Sequence, residues 1–365
     1  MPDVATVDPV ISFLDHDHVL RLVEFGLGGA GAPTEQWARA LFAPDPIDTH
    51  ALLASARGLT AAEGSSVRVV APPSASGVEG SHVLITRRGP VSAEIITACP
   101  GLKLIQRLGE RSDGIDLAAA QARGVPVSLL PRKSMVFTAE HALLLMLALS
   151  KQLVVSDRLV RDGGWDASKL QPVDNVSYNW AGLADAGGLY GRTLGLVGMG
   201  EVGTLLARRA AACGMAVAYH NRNRLPQARE QALGVRHLGI DELLTVADFV
   251  VVAAANLPQN DKLIGAAALA RMKPSAFLIN ISRGRLIDED ALYEALAAHR
   301  IAGAGLDVHR IEPRPPGDRF AGLDNVILTP HAAGGSRRFL LDEVAQVYDN
   351  CRAALAGERV PWGVI

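Results

Sequence analysis

Thr193-Leu194-Gly195-Leu196-Val197-Gly198-Met199-Gly200-Glu201-Val202-Gly203 is a short apolar run passing into three glycines. Thr204-Leu205-Leu206-Ala207-Arg208-Arg209-Ala210-Ala211-Ala212 follows and favours a helix. The pattern predicts strand, glycine turn, helix. Gly198 allows the tight turn, Gly200 lets a pyrophosphate approach the backbone, and Gly203 lets the helix lie close on the strand. The helix start then presents unpaired N–H groups and a partial positive charge to phosphates. A second strand is predicted at 216–219. Glycine-rich turns occur in many folds, but this strand–turn–helix–strand setting marks 198–203, with Met199, Glu201 and Val202 between the glycines, as a dinucleotide site.

On both sides of this unit, strand and helix signals alternate, which implies parallel sheets. Ahead of it, strands are predicted at 10–14, 67–70, 83–86, 104–107 and 125–128. The intervening helices are at 37–42, 50–59, 92–98 and 117–123. One long helix is predicted from Thr138 to about Arg161, ended by Gly163-Gly164. Residues 165–192 lack periodicity and read as a long connection. After the glycine turn, strands are predicted at 249–253, 277–281, 303–307 and 326–328, with helices at 241–246, 266–272, 289–299 and 337–356. The last helix is expected to return to the first domain. The fold class is α/β, with a first parallel-sheet unit in front of the dinucleotide unit.

Composition narrows the function classes. The 365 residues are 49% hydrophobic and 20% charged, long enough for two well-packed domains. Lys plus Arg number 36 against 38 Asp plus Glu, so no broad basic field for nucleic acid exists. Three separated cysteines, with no Cys-x-x-Cys, argue against a disulfide framework or a zinc-cysteine site and fit a reducing cytoplasm. No signal peptide is read at the N-terminus, and the apolar run 142–149 is too short to span a bilayer. The cluster Asp15-His16-Asp17-His18 resembles metal ligands, but neighbours on an extended chain point to opposite faces, so it reads as a solvated loop. No metal is expected.

Three further pieces carry chemistry: Leu278-Ile279-Asn280-Ile281-Ser282-Arg283-Gly284; Ala304-Gly305-Leu306-Asp307-Val308 with Glu312-Pro313; and Leu328-Thr329-Pro330-His331. Each polar residue lies just past a predicted strand, where ligands of open α/β sheets bind. Reduction of a 2-oxo acid needs a cation for the carboxylate and a proton donor for the carbonyl oxygen. Arg283 supplies a bidentate fork. His331 supplies a proton near neutral pH. Glu312 orients the imidazole and favours its protonated form. Any one of them alone reads as an ordinary surface or strand-end residue; in this order, after a nucleotide turn, they read as one site.

Over residues 83–357 the chain resembles the D-isomer-specific 2-hydroxyacid dehydrogenase family, most closely at Arg271-Met272-Lys273-Pro274, Asn280-x-Ser282-Arg283-Gly284, Leu306-Asp307-Val308, Glu312-Pro313 and Thr329-Pro330-His331. The resemblance implies that Arg283 binds substrate, that Glu312 pairs with His331 as acid/base, and that Asp307 contacts the nicotinamide carboxamide. It implies two Rossmann-like domains with parallel sheets: a discontinuous substrate domain, 1–137 plus 335–365, around an inserted nucleotide domain, 138–334, with the active site in a cleft between them. It further implies a homodimer with the long helix at its interface. Departures concern the substrate end. The family's Gly-x-Gly-x-Asp loop reads Gly109-Glu110-Arg111-Ser112-Asp113, an expected asparagine is Ser134, and a His-x-Pro is Ala253-Ala254-Ala255. Arg88, or its neighbour Arg87, together with Gly109, Glu110 and Arg111 are the candidate substrate contacts.

The second nucleotide strand usually ends in an Asp that binds the adenosine ribose. Here the position is Asn221, followed by Arg222 and Arg224. Loss of the carboxylate and gain of two cations predict a preference for NADP(H), with NAD(H) the second cofactor. The leading expectation is a reductase of a small 2-oxo acid, glyoxylate- or hydroxypyruvate-like. The alternatives are a formate- or phosphite-type dehydrogenase, of which the formate type lacks the glutamate partner present here as Glu312, and a nucleotide-sensing corepressor that binds NAD(P)H with little turnover.

Overall fold

The computed structural model describes residues 9–28, 32–43, 45–56, 59, 66–163, 179–361 and 363–364. Residues 165–178 of the expected connection 165–192 therefore lie outside the described residues. The chain forms two compact units, Met1–Ser134 with Ser336–Ile365, and Met135–Gly335.

The first unit holds five parallel strands: β1 (Val10–Phe13), β2 (Ser66–Val69), β3 (Val83–Thr86), β4 (Leu104–Leu108) and β5 (Val127–Leu130), ordered β2-β1-β3-β4-β5. Alternate strand residues serve opposite faces. Phe13, Ile85 and Leu104 pack with Val19 and Val23 of helix His18–Leu27 and with Val344 and Val347 of helix Phe339–Leu355. On the other face Leu84, Ile105 and Val127 pack with Ile95, Ile96 and Ala120. Burial on both faces explains why the strands read as continuous apolar runs. The C-terminal helix is fixed here by polar contacts as well. Tyr348 Oη donates to the Val23 carbonyl at 2.8 Å, and Asn350 Nδ2 donates to Gln106 Oε1 at 2.7 Å, all these side chains being buried.

The second unit holds seven parallel strands: β6 (Thr193–Val197), β7 (Ala216–His220), β8 (Val235–His237), β9 (Phe249–Val252), β10 (Phe277–Asn280), β11 (Gly303–Leu306) and β12 (Val326–Leu328). Their order, β12-β11-β10-β9-β6-β7-β8, reverses at β6. The chain runs outward through β7 and β8, then returns to the other side of β6 as β9. This doubly wound arrangement opens a crevice at the carboxyl ends of β6 and β9. Strand β8 and the helix Gln227–Leu233 before it escaped the sequence reading. Three residues are too few to show a period, and a largely polar helix has a weak apolar stripe.

The single helix expected from Thr138 to Arg161 is instead two, Lys133–Ser150 and Leu153–Asp162. The break falls at Gln152, whose φ of 51° is left-handed. The first helix packs Ala142, Leu145, Met146 and Leu149 into the core of this unit. Gly305 of β11 admits it closely: a Cβ there would lie 3.1 Å from Leu145 Cβ. Lys133–Ser150 is the one described helix long and apolar enough to cross a membrane by length and hydropathy alone, a test that buried core helices also pass. Among the described residues no group of three or more His, Cys, Asp or Glu is placed to hold a metal ion.

Candidate active site

The glycine turn lies at the crevice. Gly198 has φ 109°, and a Cβ there would sit 2.6 Å from Ala253 C and Ala254 N, so only glycine lets β6 end against the chain leaving β9. A Cβ on Gly203 would strike the Gly198 carbonyl oxygen, whereas a Cβ on Gly200 would meet nothing within 4 Å. Helix Glu201–Ala212 begins at Gly200 with no side-chain cap. Its first N–H groups are thus available to an anion beside open space.

Asn221 closes the turn from the next strand: Met199 N–H donates to its Oδ1 at 2.7 Å. With Oδ1 held inward, its Nδ2 is the donor left for a ligand. The two expected phosphate cations separate. Arg224 is committed to Glu230 through Nε at 2.9 Å and Nη2 at 2.7 Å, and Tyr219 Oη donates to the same carboxylate at 2.7 Å. Arg224, then Tyr219, hold the Glu230 carboxyl down to about 2. Arg224 therefore braces the β7–helix corner through Nε and Nη2. Arg222 is exposed and has no side-chain partner among the described residues.

Arg283, Glu312 and His331 follow β10, β11 and β12, three neighbouring parallel strands whose ends lie about 4.8 Å apart. Arg283 is exposed; its carbonyl accepts from Asn280 Nδ2 at 3.0 Å. Ser282 is tied across to the carbonyl of Ala254 by its hydroxyl at 2.6 Å. At Gly284 a Cβ would fall on the backbone of His309 and Arg310, so the Arg283 loop and the Glu312 loop touch through bare main chain.

His331 Nδ1 and Glu312 Oε2 are 2.7 Å apart. A carboxylate only accepts, so Nδ1 carries the hydrogen and Nε2 is the end free for proton transfer. Burial raises the Glu312 carboxyl, but the His309 N–H (2.8 Å to Oε1) and then His331 bring it below its ordinary value. His331 has φ 56°, unusual for a residue with a side chain, and its N–H donates to the Asp307 carbonyl at 2.8 Å.

Asp307 is wholly buried. Its carboxylate accepts from Thr329 Oγ1 at 2.6 Å, Ala332 N at 2.9 Å and Ala333 N at 2.9 Å, with His141 Nε2 3.4 Å away. These bonds wrap the turn that carries His331 around one carboxylate. Asp307, which the resemblance places at the nicotinamide carboxamide, has its carboxylate engaged in holding this turn.

In the first unit, Gly109 has φ 141° and donates its N–H to Leu130 O at 2.8 Å. Glu110 and Arg111 are exposed, and Arg111 pairs with Asp113. Asp15 gathers the backbone N–H groups of Arg87, Arg88 and Gly89. Arg87 is spent on Asp17, while the Arg88 side chain is exposed. The cluster 15–18 is thus a loop brace, with Asp17 also capping helix His18–Leu27.

A doubly wound sheet, an uncapped helix behind a glycine turn, and an imidazole–carboxylate pair three to four strands away define a nicotinamide-dependent oxidoreductase of the two-Rossmann-unit class. Residues 143–333 match the NAD-binding domain of the D-isomer specific 2-hydroxyacid dehydrogenases. A glyoxylate reductase of Korarchaeum cryptofilum is 38% identical over 272 residues, 74% of this chain and 79% of that one. The D-3-phosphoglycerate dehydrogenase of Mycobacterium tuberculosis is 36% identical over 283 residues, and the match spans about half its length (78% of this chain, 51% of that one). A crystal structure of a glyoxylate reductase from Paecilomyes thermophila aligns over 98% of this chain and 99% of its own, with 26% identity and a TM-score of 0.54. The chain belongs to the D-isomer-specific 2-hydroxyacid dehydrogenase family.

Proposed function

We propose that the protein reduces a small 2-oxo acid to the D-2-hydroxy acid with NADPH, acting on glyoxylate or hydroxypyruvate. The observation that carries this is the 2.7 Å His331–Glu312 pair with Nε2 left free. NADPH, when bound, supplies the hydride to the carbonyl carbon. His331 delivers a proton from Nε2 to the carbonyl oxygen, and Glu312 holds the imidazole and its developing charge. Arg283 draws the substrate carboxylate and polarises the carbonyl. The Gly198–Gly203 turn and the helix behind it hold the pyrophosphate. Residues 138–334 form the nucleotide domain; 1–137 and 335–365 form the substrate domain, where Arg88, Gly109, Glu110 and Arg111 face the substrate. A screen of NADPH oxidation over a panel of 2-oxo acids tests the reading. Tight NADPH binding with no turnover of any acid would refute it and favour a sensor.

The NADP(H) preference rests on Asn221 and Arg222. With Oδ1 taken by Met199 N–H, Asn221 offers a donor where a carboxylate would repel a 2′-phosphate. A charge-assisted hydrogen bond is worth about 1.5–3 kcal/mol. NADPH is therefore expected to outperform NADH by about tenfold or more in kcat/KM, and Asn221→Asp to erase that advantage. Faster turnover with NADH in the parent protein would end this assignment.

The homodimer is proposed through the two helices 133–150 and 153–162. Their side chains Leu144, Leu153, Val154 and Val160 are about half exposed, and exposed large apolar groups are what an interface would cover. Sedimentation is expected to give twice the chain mass, and Leu144→Glu with Leu153→Glu to give the monomer. A parent protein sedimenting as a monomer at micromolar concentration would exclude it.

A further inference from the structure

His309 touches all three loops of the proposed site, although nothing in its sequence position marks it. Its backbone N–H donates to Glu312 Oε1 at 2.8 Å. Its carbonyl carbon and oxygen fill the space that a Cβ on Gly284 would need, which seats the Arg283 loop. Its ring bridges the third: Nε2 lies 2.9 Å from the carbonyl oxygen of Thr329, two residues before His331. The ring is nearly inaccessible, at 8% exposure for the residue.

Its tautomer is set by a neighbour. Arg314 Nε lies 3.1 Å from His309 Nδ1. A guanidinium only donates, so Nδ1 accepts and the hydrogen sits on Nε2, where it is donated to Thr329 O. Arg314 is itself locked. Nη2 bonds Glu289 Oε1 at 2.9 Å, Nη1 bonds Asp318, and the guanidinium lies 4.8 Å over the Phe320 ring. Glu289, the first residue of helix Glu289–Ala297, also accepts the Arg310 N–H at 2.9 Å. Each of the three nitrogens of Arg314 bonds inside the protein and its side chain is only 12% exposed, so it serves as a brace rather than as a substrate cation.

We infer that His309, oriented by Arg314, is a positioning residue that fixes Glu312 relative to His331 and thereby sets the rate of the proton-transfer step. Glu312 is otherwise a half-exposed carboxylate on a loop. Bonds at both of its oxygens, one from His309 and one from His331, leave it a single orientation. The ring of His309 ties that loop to the strand end that delivers His331. Misplacement of a catalytic group by about 1 Å costs up to a hundredfold in rate.

The inference rests on the proposed roles of Glu312 and His331, and the experiment separates the two. His309→Phe keeps the ring volume but loses both ring nitrogens; His309→Gln keeps a donor near the Nε2 position. His309→Phe is expected to lower kcat about tenfold or more and to leave the KM for NADPH within about twofold. His309→Gln is expected to regain most of the loss. In a His331→Ala background, the His309→Phe change is expected to cost less than about twofold, because residues acting as one unit are not additive. If His309→Phe gives no cooperative unfolding transition, Arg314→Met asks the same question with the ring in place, and the same pattern is expected. Unchanged turnover in His331→Ala alone would overturn the proposed function. Collapse in His331→Ala, with full kcat in His309→Phe and Arg314→Met, would overturn this inference. So would a loss that persists undiminished in the His331→Ala background.

Discussion

His331→Ala is expected to lower turnover of the best 2-oxo acid by about a hundredfold or more, with NADPH affinity nearly unchanged. General acid catalysis contributes roughly 10²–10⁴ in rate, and no other described group stands where Nε2 does. Cofactor affinity should survive because the glycine turn and Asn221 lie four and five strand positions away across the sheet. Arg283→Ala should differ in kind: it removes a carboxylate clamp, so KM for the acid rises as kcat falls. The acid limb of the rate profile carries a second signature. Glu312 lies below its ordinary value of 4.5, so its charge is fully present above that pH and is lost only as pH falls through the lower, folded-state value. Initial rates by NADPH absorbance across pH read both effects. Unimpaired turnover in His331→Ala would remove the assigned acid.

Gly284→Ala is expected to destabilise the second unit by about 3 kcal/mol, and to depress turnover as well. Overpacking usually costs about 1–3 kcal/mol, and the flexible end of a side chain can often yield. Here the obstacle is main chain, the carbonyl of His309 and the N–H of Arg310. Those atoms cannot move without shifting the loop that carries Glu312. The loss should therefore appear in kcat as well as in the denaturant midpoint. Gly322→Ala is the matched control, since a Cβ there meets nothing within 4 Å and its backbone is not left-handed. It should unfold within about 0.5 kcal/mol of the parent, as surface substitutions do. Equal stability of the two variants would show that the loops after β10 and β11 do not meet as described.

Much of this was legible in the chain. The parallel strands announced themselves because burial on both faces demands unbroken apolar runs. Gly198, Gly200 and Gly203 pointed to the turn because each answers a separate steric demand. Arg283, Glu312 and His331 stood out because each follows a strand. Other features were hidden for equally physical reasons. Arg222 and Arg224 look alike in sequence; Glu230, six residues on across a corner, takes only the second. The helix expected through 138–161 continues apolar past its real end, and only the left-handed Gln152 stops it.

By itself the sequence determined which segments form strands, β8 apart, where the glycine turn falls and which three side chains carry the proposed chemistry, since periodicity and glycine placement are local properties. Only the tertiary structure decided that Asp307 is a buried strut, that Arg224 belongs to Glu230 and that His309 joins three loops. Each of those depends on which groups remain for a charge or an N–H to meet once the chain has closed around it, and a buried polar group must be satisfied by whatever the fold brings to it.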